Sequence, residues 1–513
     1  MKGVKMIKMI KMIKMIKLIY LCGLVACGVA NGYTGWEPGQ PVPEDIAPIK
    51  APFEMPQLQR PVFKSVDYNI RDYGAQECAW DAEPRIFSTD AIRKAIVKCH
   101  QNGGGRVVIP KGEWVTGAVH LKSNVNFHLQ EGATLHFSDN PEDYLPAVYV
   151  RWEGVECYNY SPLIYAPNCE NVAITGKGIL NGHGKKWWHW KKDKACDRIK
   201  AAGQPLQSRK FGYKGGVTSQ RPVLLMPWKS KNVLIEGVTL IDPPFWTVQP
   251  VYCENVIIRG ITIDSRRGHN GDGIDLDSCK NVLIEYNNLQ TNDDAVCLKS
   301  GLNQDGIQIG IPCENVVVRH FVARNVLTGS GGIVIGSEMS GGVRNIYVHD
   351  ALFEDCDRGI RMKSTRGRGG IVENIIVENV TMKGIRREAF LINTGYAGAS
   401  KGPAPLFRDI RLKNIRASNV AQCIAVKGLA DMKVQNIEFT DCSFNGRKGA
   451  SISHAKGVTF SNVTIHSKQK SLVVRNSSDF SFDDLDLGGK KPDIADCDNV
   501  GQIDELTNVE YND

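Results

Sequence analysis

Two short phrases concentrate carboxylates: His269-Asn270-Gly271-Asp272-Gly273-Ile274-Asp275-Leu276-Asp277, and then Thr291-Asn292-Asp293-Asp294. Carboxyl groups held close together raise one another's pKa. One can then stay protonated as a general acid while another stays ionised and activates a water. That division of labour suits cleavage of a glycosidic bond. Asp272, Asp293 and Asp294 are the candidate catalytic residues, and Asp275 and Asp277 read as turn residues bonding locally. Further on, Gly359-Ile360-Arg361-Met362-Lys363 sets Arg361 and Lys363 on one face of a strand, because side chains alternate with period two. Such a pair suits a carboxylate ligand, and it can also neutralise the acids nearby.

What must position these groups is a repeat. Cys169-Glu170-Asn171-Val172 returns as Lys231-Asn232-Val233, Cys253-Glu254-Asn255-Val256, Cys279-Lys280-Asn281-Val282, Cys313-Glu314-Asn315-Val316, Arg344-Asn345-Ile346, Glu373-Asn374-Ile375 and Gln435-Asn436-Ile437. From Asn232 to Asn374 the steps are 23, 26, 34, 30 and 29 residues, the periods of a solenoid. Each asparagine opens a β-branched alternating run without helical period. The pattern predicts an all-β parallel β-helix of about three short strands per coil, with a ladder of asparagines at one turn. Asp272 and Asp293, 21 residues apart, are then expected at equivalent positions on neighbouring coils, about 5 Å apart along the axis.

Around this core, Thr89-Asp90 followed by Ile92, Ala95, Ile96 and Cys99 predicts an N-terminal capping helix with a polar N-cap. Residues 1–30 carry a lysine-dotted segment and a short apolar run, an export signal. Leu24-Val25-Ala26-Cys27 also reads as a lipobox that would anchor Cys27 to lipid, while cleavage after Ala30 fits equally. The expected location is the periplasm or cell surface of a bacterium. Residues 31–64 are a proline-rich arm or linker, 65–484 the β-helix and 485–513 a polar tail. Six of the lysines lie in the signal, and without them the net charge of +8 falls to +2. That argues against nucleic acid as a partner. The cysteines form no CxxC pairs, and Cys169, Cys253, Cys279 and Cys313 read as small core residues rather than metal ligands.

At these motifs the sequence resembles glycoside hydrolase family 28, the polygalacturonase family, over most of residues 65–480. The family's Asn-Thr-Asp-Gly appears as Asn270-Gly271-Asp272-Gly273, its Gly-Asp-Asp as Asn292-Asp293-Asp294, and its Arg-Ile-Lys as Arg361-Met362-Lys363. The resemblance implies a single-stranded right-handed β-helix and inverting hydrolysis of galacturonic-acid linkages in pectic polysaccharide. It implies Asp293 as general acid, Asp272 and Asp294 as activators of water, and Arg361 and Lys363 as the grip on a galacturonate carboxylate. A monomer without metal or cofactor is expected. Asn270 and Trp246, the latter after Pro243-Pro244-Phe245, are candidate cleft residues, as are the aromatic side chains of His183 to Lys192. The family's Gly-His-Gly aligns with Gly329-Ser330-Gly331-Gly332, where no histidine stands. Ser330 is expected beside the substrate there, with His269 as a partial substitute. The loss favours a galacturonate–rhamnose over a galacturonate–galacturonate linkage. The rival readings are a calcium-dependent pectate lyase sharing the β-helix and a noncatalytic carbohydrate-binding β-helix.

Overall fold

The computed structural model describes residues 33, 35–192, 203–210, 220–325 and 330–501. The candidate signal with Cys27, Gly329 of the altered motif and the end of the tail lie outside the described residues.

The recurring asparagines mark a corner that most residues avoid. Asn124, Asn171, Asn232, Asn255, Asn281, Asn315, Asn345 and Asn374 all hold φ between 52° and 63°, a left-handed conformation that asparagine tolerates better than most side chains. Each amide from Asn171 onward donates to the oxygen of the one before it, at 2.8–3.2 Å. The corner therefore selects asparagine twice, for its backbone and for the ladder. The ladder begins one step earlier than the repeat suggested, at Asn124. An aspartate, Asp409, takes the place between Asn374 and Asn436, accepting from Asn436 at 2.9 Å.

The chain is a right-handed parallel β-helix. Its strands stack in register on three faces, and alternate side chains fill the axis with one continuous apolar core. Cys169, Cys253, Cys279 and Cys313 are buried in that core, and every described cysteine is a free thiol. The helix Thr89–Gln101 packs Ile92, Ala95, Ile96 and Cys99 inward as the spacing predicts. Its cap differs: Ser88 is the N-cap and makes no side-chain capping bond. The Thr89 hydroxyl instead accepts from the Gly117 amide at 2.8 Å, tying the helix to the first coil.

One face carries the acids. Its strands run Ile164–Pro167, Leu225–Trp228, Ile274–Asp277, Val296–Lys299, Ile333–Gly336, Ile360–Lys363 and Glu388–Asn393, and continue through residues 422–427, 448–453 and 472–475. Residues 248 and 251 bridge the second of these strands to the third. An antiparallel hairpin, Val148–Trp152 with Val155–Asn159, turns through Glu153 and Gly154, both at positive φ. Such a pair matches the twist of a two-residue hairpin turn. The hairpin packs on Tyr165, Met226, Trp228 and Val251, outward residues of the strands that precede the acids.

On a second face the proline-rich segment lies across the coils. Ile46, Ile49, Ala51, Phe53, Met55, Leu58 and Phe63 cover the outward column Ala173, Leu234, Ile257, Leu283, Val317 and Tyr347. Beside it runs an alternating charged column, Glu236, Arg259, Glu285 and Arg319. Its guanidiniums bond the carbonyls of Pro43, Ala47 and Pro48 in the arm.

Candidate active site

The strand Ile274–Asp277 turns Ile274 and Leu276 into the core and leaves Asp275 and Asp277 outward. The next strand does the same with Val296 and Leu298, leaving Cys297 and Lys299 outward. Ile274 pairs with Val296, and the Gly273 amide donates to the Asp294 carbonyl at 2.9 Å. Asp272 therefore stands opposite Asp294, and Asp293 is offset by one residue, contrary to the expectation from the 21-residue spacing. One residue of register separates the two readings, and register is set by the strand pairing rather than by distance along the chain. The Asp293 carbonyl accepts from Thr291 Oγ1 at 2.7 Å and Asn325 Nδ2 at 2.9 Å, fixing its backbone while its side chain stays partly exposed.

Asp275 and Asp277 are not turn residues. Both are fully buried in the strand, where an unpaired charge would be costly, and both meet cations. Asp277 binds Arg151 of the hairpin at 2.9 Å. Lys299 lies among Asp275 at 3.3 Å, Glu338 at 3.4 Å and Asp272 at 3.9 Å, with its ammonium 3.8 Å from the centre of the Trp246 ring. Trp246 is 3% exposed and ends a stack with Phe245 and Trp152. It supports Lys299 from below and offers no surface to a sugar, because the hairpin covers the stack.

The carboxyls are driven apart. Burial, then the neighbouring Asp294 charge, pushes Asp293 up to about 6. Burial would raise Asp294 as well, but Lys363, then Arg361 and Lys299, bring it below the ordinary carboxylate range. Lys363 Nζ lies 2.8 Å from Asp294 Oδ2, and Arg361 is 3.8 Å from Oδ1. The grip expected for a ligand is thus engaged by a protein carboxylate, the neutralising role weighed beside it. Burial and the Asp275 charge raise Asp272 well above its usual value. Burial pushes Asp275 up to about 7 despite Lys299.

The remaining candidates divide. Asn270 Oδ1 and the His269 carbonyl accept from the Arg221 guanidinium at 2.8 and 2.5 Å, so Arg221 holds the loop that carries Asp272. The His269 ring is exposed. Ser330, opposite Asp293 on the next coil, has no exposed surface. A Cβ on Gly331 would lie 2.7 Å from Val334 Cγ2 and 3.4 Å from Arg361 Cβ, so a side chain there would crowd Arg361. In the loop after His183, Trp187 is buried in the core and Trp188 Nε1 donates to the Pro243 carbonyl at 2.9 Å. His183 stacks on Trp80 with ring centres 3.5 Å apart. Trp187 and His183 are thereby spoken for by the fold.

Sequence reasoning missed Lys299, Glu338, Arg151, Arg221 and Tyr396, whose ring lies 5.5 Å from Arg361 and 5.7 Å from Lys363. Lys299 had a usable signal, since alternation from Cys297 points it outward beside the acids. Arg151 had none, being brought to Asp277 from 126 residues away.

The sequence profile of glycosyl hydrolases family 28 matches residues 99–453. A probable polygalacturonase of Vitis vinifera is 31% identical over 405 residues, 76% of this chain and 73% of its own length. An exo-poly-alpha-D-galacturonosidase of Dickeya chrysanthemi is 27% identical over 77% of this chain and 70% of its own. Among solved structures, a hyperthermoactive exopolygalacturonase from Thermotoga maritima superposes with a TM-score of 0.74 at 36% identity, covering 79% of this chain and 93% of that one.

Proposed function

This chain belongs to glycosyl hydrolases family 28 and is a glycoside hydrolase, and on that premise we propose that it hydrolyses α-galacturonosyl linkages of pectic chains, from the chain end and with inversion. One observation carries the roles. Asp293 is partly exposed and stands at about 6, while its neighbour Asp294 is held down by Lys363. Carboxyls whose surroundings push them apart are the acid and the base. Asp293 gives its proton to the leaving oxygen, and Asp294 with Asp272 takes a proton from the attacking water. Asp294, held ionised, is the acceptor, and Asp272, raised by burial and by the Asp275 charge, orients the water beside it.

Two features support cleavage at an end. The relatives named above include exo-acting enzymes. The outward positions preceding Asp275 and Asp277 in register, among them Met226, Trp228 and Val251, lie under the hairpin, so a chain running that way meets a wall. The polygalacturonase names of the relatives favour a galacturonate–galacturonate linkage over one to rhamnose. Action outside the cytoplasm is also proposed, on the sequence of residues 1–30.

Galacturonate and rhamnogalacturonate oligosaccharides incubated in parallel test this reading. The expected products are free galacturonate in the inverted anomeric form and a chain shortened by one, without new ultraviolet absorbance. An unsaturated, absorbing end would mean elimination. A tenfold higher kcat/KM on the galacturonate–rhamnose linkage, about 1.4 kcal/mol in transition-state binding, would overturn the choice of linkage.

Lys363 separates two roles. Lys363→Met removes the charge that keeps Asp294 ionised, so kcat is expected to fall about tenfold or more on free and methyl-esterified substrates alike. The acidic limb of the pH–rate profile should move to higher pH. Arg361→Ala removes a charge that acts on Asp294 less than that of Lys363. It should move this limb less and raise KM for the free carboxylate, because a charge-assisted hydrogen bond is worth about 1.5–3 kcal/mol. A Lys363→Met enzyme with an unshifted acidic limb would contradict the assignment of Asp294.

A further inference from the structure

The face that carries the acids is asymmetric along the axis. On the coils before Asp275 and Asp277 the outward Tyr165, Met226, Trp228 and Val251 are apolar and lie beneath the hairpin. On the coils after Arg361 and Lys363 the outward register runs through Asn393, Lys427, Ser453 and Arg475 in one column. A second column, one strand length away, runs from Arg358 through Glu388 and Gln422 to Lys448. Leu391, Ala425 and the half-buried Ser451 lie between.

The charges on this stretch do not cancel. Glu388 is taken by Arg358 at 2.8 Å, Asp431 by Arg366, and Asp493 by Lys470 and Arg475. Lys427 and Lys448 are exposed and form no ion pair among the described residues. Lys427 lies two rungs beyond Lys363 and Lys448 three, about 10 and 14 Å along the axis at the strand spacing. They stand on opposite sides of this strip of small and apolar side chains.

We propose that this strip, flanked by Lys427 and Lys448, is a binding track for the part of a polyanionic sugar chain that continues past the scissile linkage on the side of Arg361 and Lys363. The inference rests on the galacturonan reading above and deepens it, since every further sugar brings a carboxylate to a surface that offers cations. A dimer ends before reaching them. A longer chain gains contacts that are electrostatic and solvent-exposed, and so sensitive to salt.

The test is a chain-length series of oligogalacturonates from the dimer to about ten sugars, run on the wild type and on the double variant Lys427→Glu/Lys448→Glu. Wild-type kcat/KM is expected to rise with length and to lose much of that gain in high salt. The double variant should lose about three- to tenfold on the longest chains while keeping wild-type turnover of the dimer. Lys427→Gln/Lys448→Gln should fall between the two. Dimer turnover also reports that each variant is folded. Equal kcat/KM for variant and wild type on long chains, with the dimer still cleaved, overturns the track and leaves the functional reading standing. Failure of the wild type to cleave any galacturonate oligomer overturns both.

Discussion

Asp293→Asn should lower kcat by at least ~10²-fold on natural linkages and leave the fold intact. The amide keeps the shape of the carboxyl but cannot deliver a proton to the leaving oxygen, and positioned general acids contribute about 10²–10⁴-fold. The side chain is partly exposed and its backbone carbonyl is held independently by Thr291 and Asn325, so little stability is at stake. Two further readouts identify the lost function as proton donation. A substrate with an acidic leaving group, which needs no proton, should be far less affected. In the wild type the rate should fall as pH rises through about 6, where Asp293 loses its proton. It should persist on the acidic side into the range where ordinary carboxyls are already protonated, because Asp294 is held ionised. Near-native turnover of natural linkages by Asp293→Asn would end the assignment.

Lys299→Met should be costly for stability and for pH dependence together. The ammonium is the cation shared by Asp272, Asp275 and Glu338, all buried, and removing one partner of a buried ionic cluster costs about 3–5 kcal/mol. The sign of the pH effect follows from the direction of the carboxyl shifts. Asp272, Asp275 and Asp293 already stand above their unfolded values, and Lys299 opposes each of those shifts. Without it they rise further. A carboxyl raised in the fold is no burden below its unfolded pKa and costs stability as pH climbs through the folded one. The variant should therefore be weakest at neutral and alkaline pH and closest to wild type near pH ~4, where even unfolded carboxyls are half protonated. Both limbs of its pH–rate profile should lie at higher pH than in the wild type. Adding Asp275→Asn should recover part of the loss, since fewer charges are then left without a partner. Thermal melts across pH and denaturant titrations of the three proteins decide the matter. A single variant as stable as wild type at pH 8 would show that Lys299 compensates nothing.

Most of the architecture is legible in the sequence because a solenoid writes its rule once per coil. The left-handed corner demands asparagine, the core demands alternation, and the strands stack without long-range choices. Asp272, Asp293, Asp294, Arg361 and Lys363 could be placed on one face for the same reason. The failures have a common origin in what lies off the repeat. The hairpin arrives from an insertion whose only local signal is Glu153-Gly154, yet it covers Trp246 and supplies Arg151. Asp275 and Asp277 look like turn acids until Lys299 and Arg151 are seen against them. Ser330 sits in a phrase that aligns with a ligand-binding one, but the residue is fully buried. The one-residue error in matching Asp272 to Asp293 arose from treating coil length as fixed, whereas the pairing of Ile274 with Val296 defines it.

The proline-rich arm has a consequence for the order in which this protein can be made. Residues 46–63 leave the ribosome before the coils, but the column they cover is assembled from Ala173, Leu234, Ile257, Leu283, Val317 and Tyr347. The guanidiniums that bond the arm's carbonyls belong to Arg259 and Arg319. The arm is thus seated only after some 300 residues that follow it have wound into place. Until then six rungs of apolar surface stay open to solvent, the kind of transient exposure that invites association between partly folded chains. Once seated, the arm spans those rungs like a clasp. Unwinding of the middle coils must first release it, which places part of the barrier to their unfolding at the opposite end of the chain.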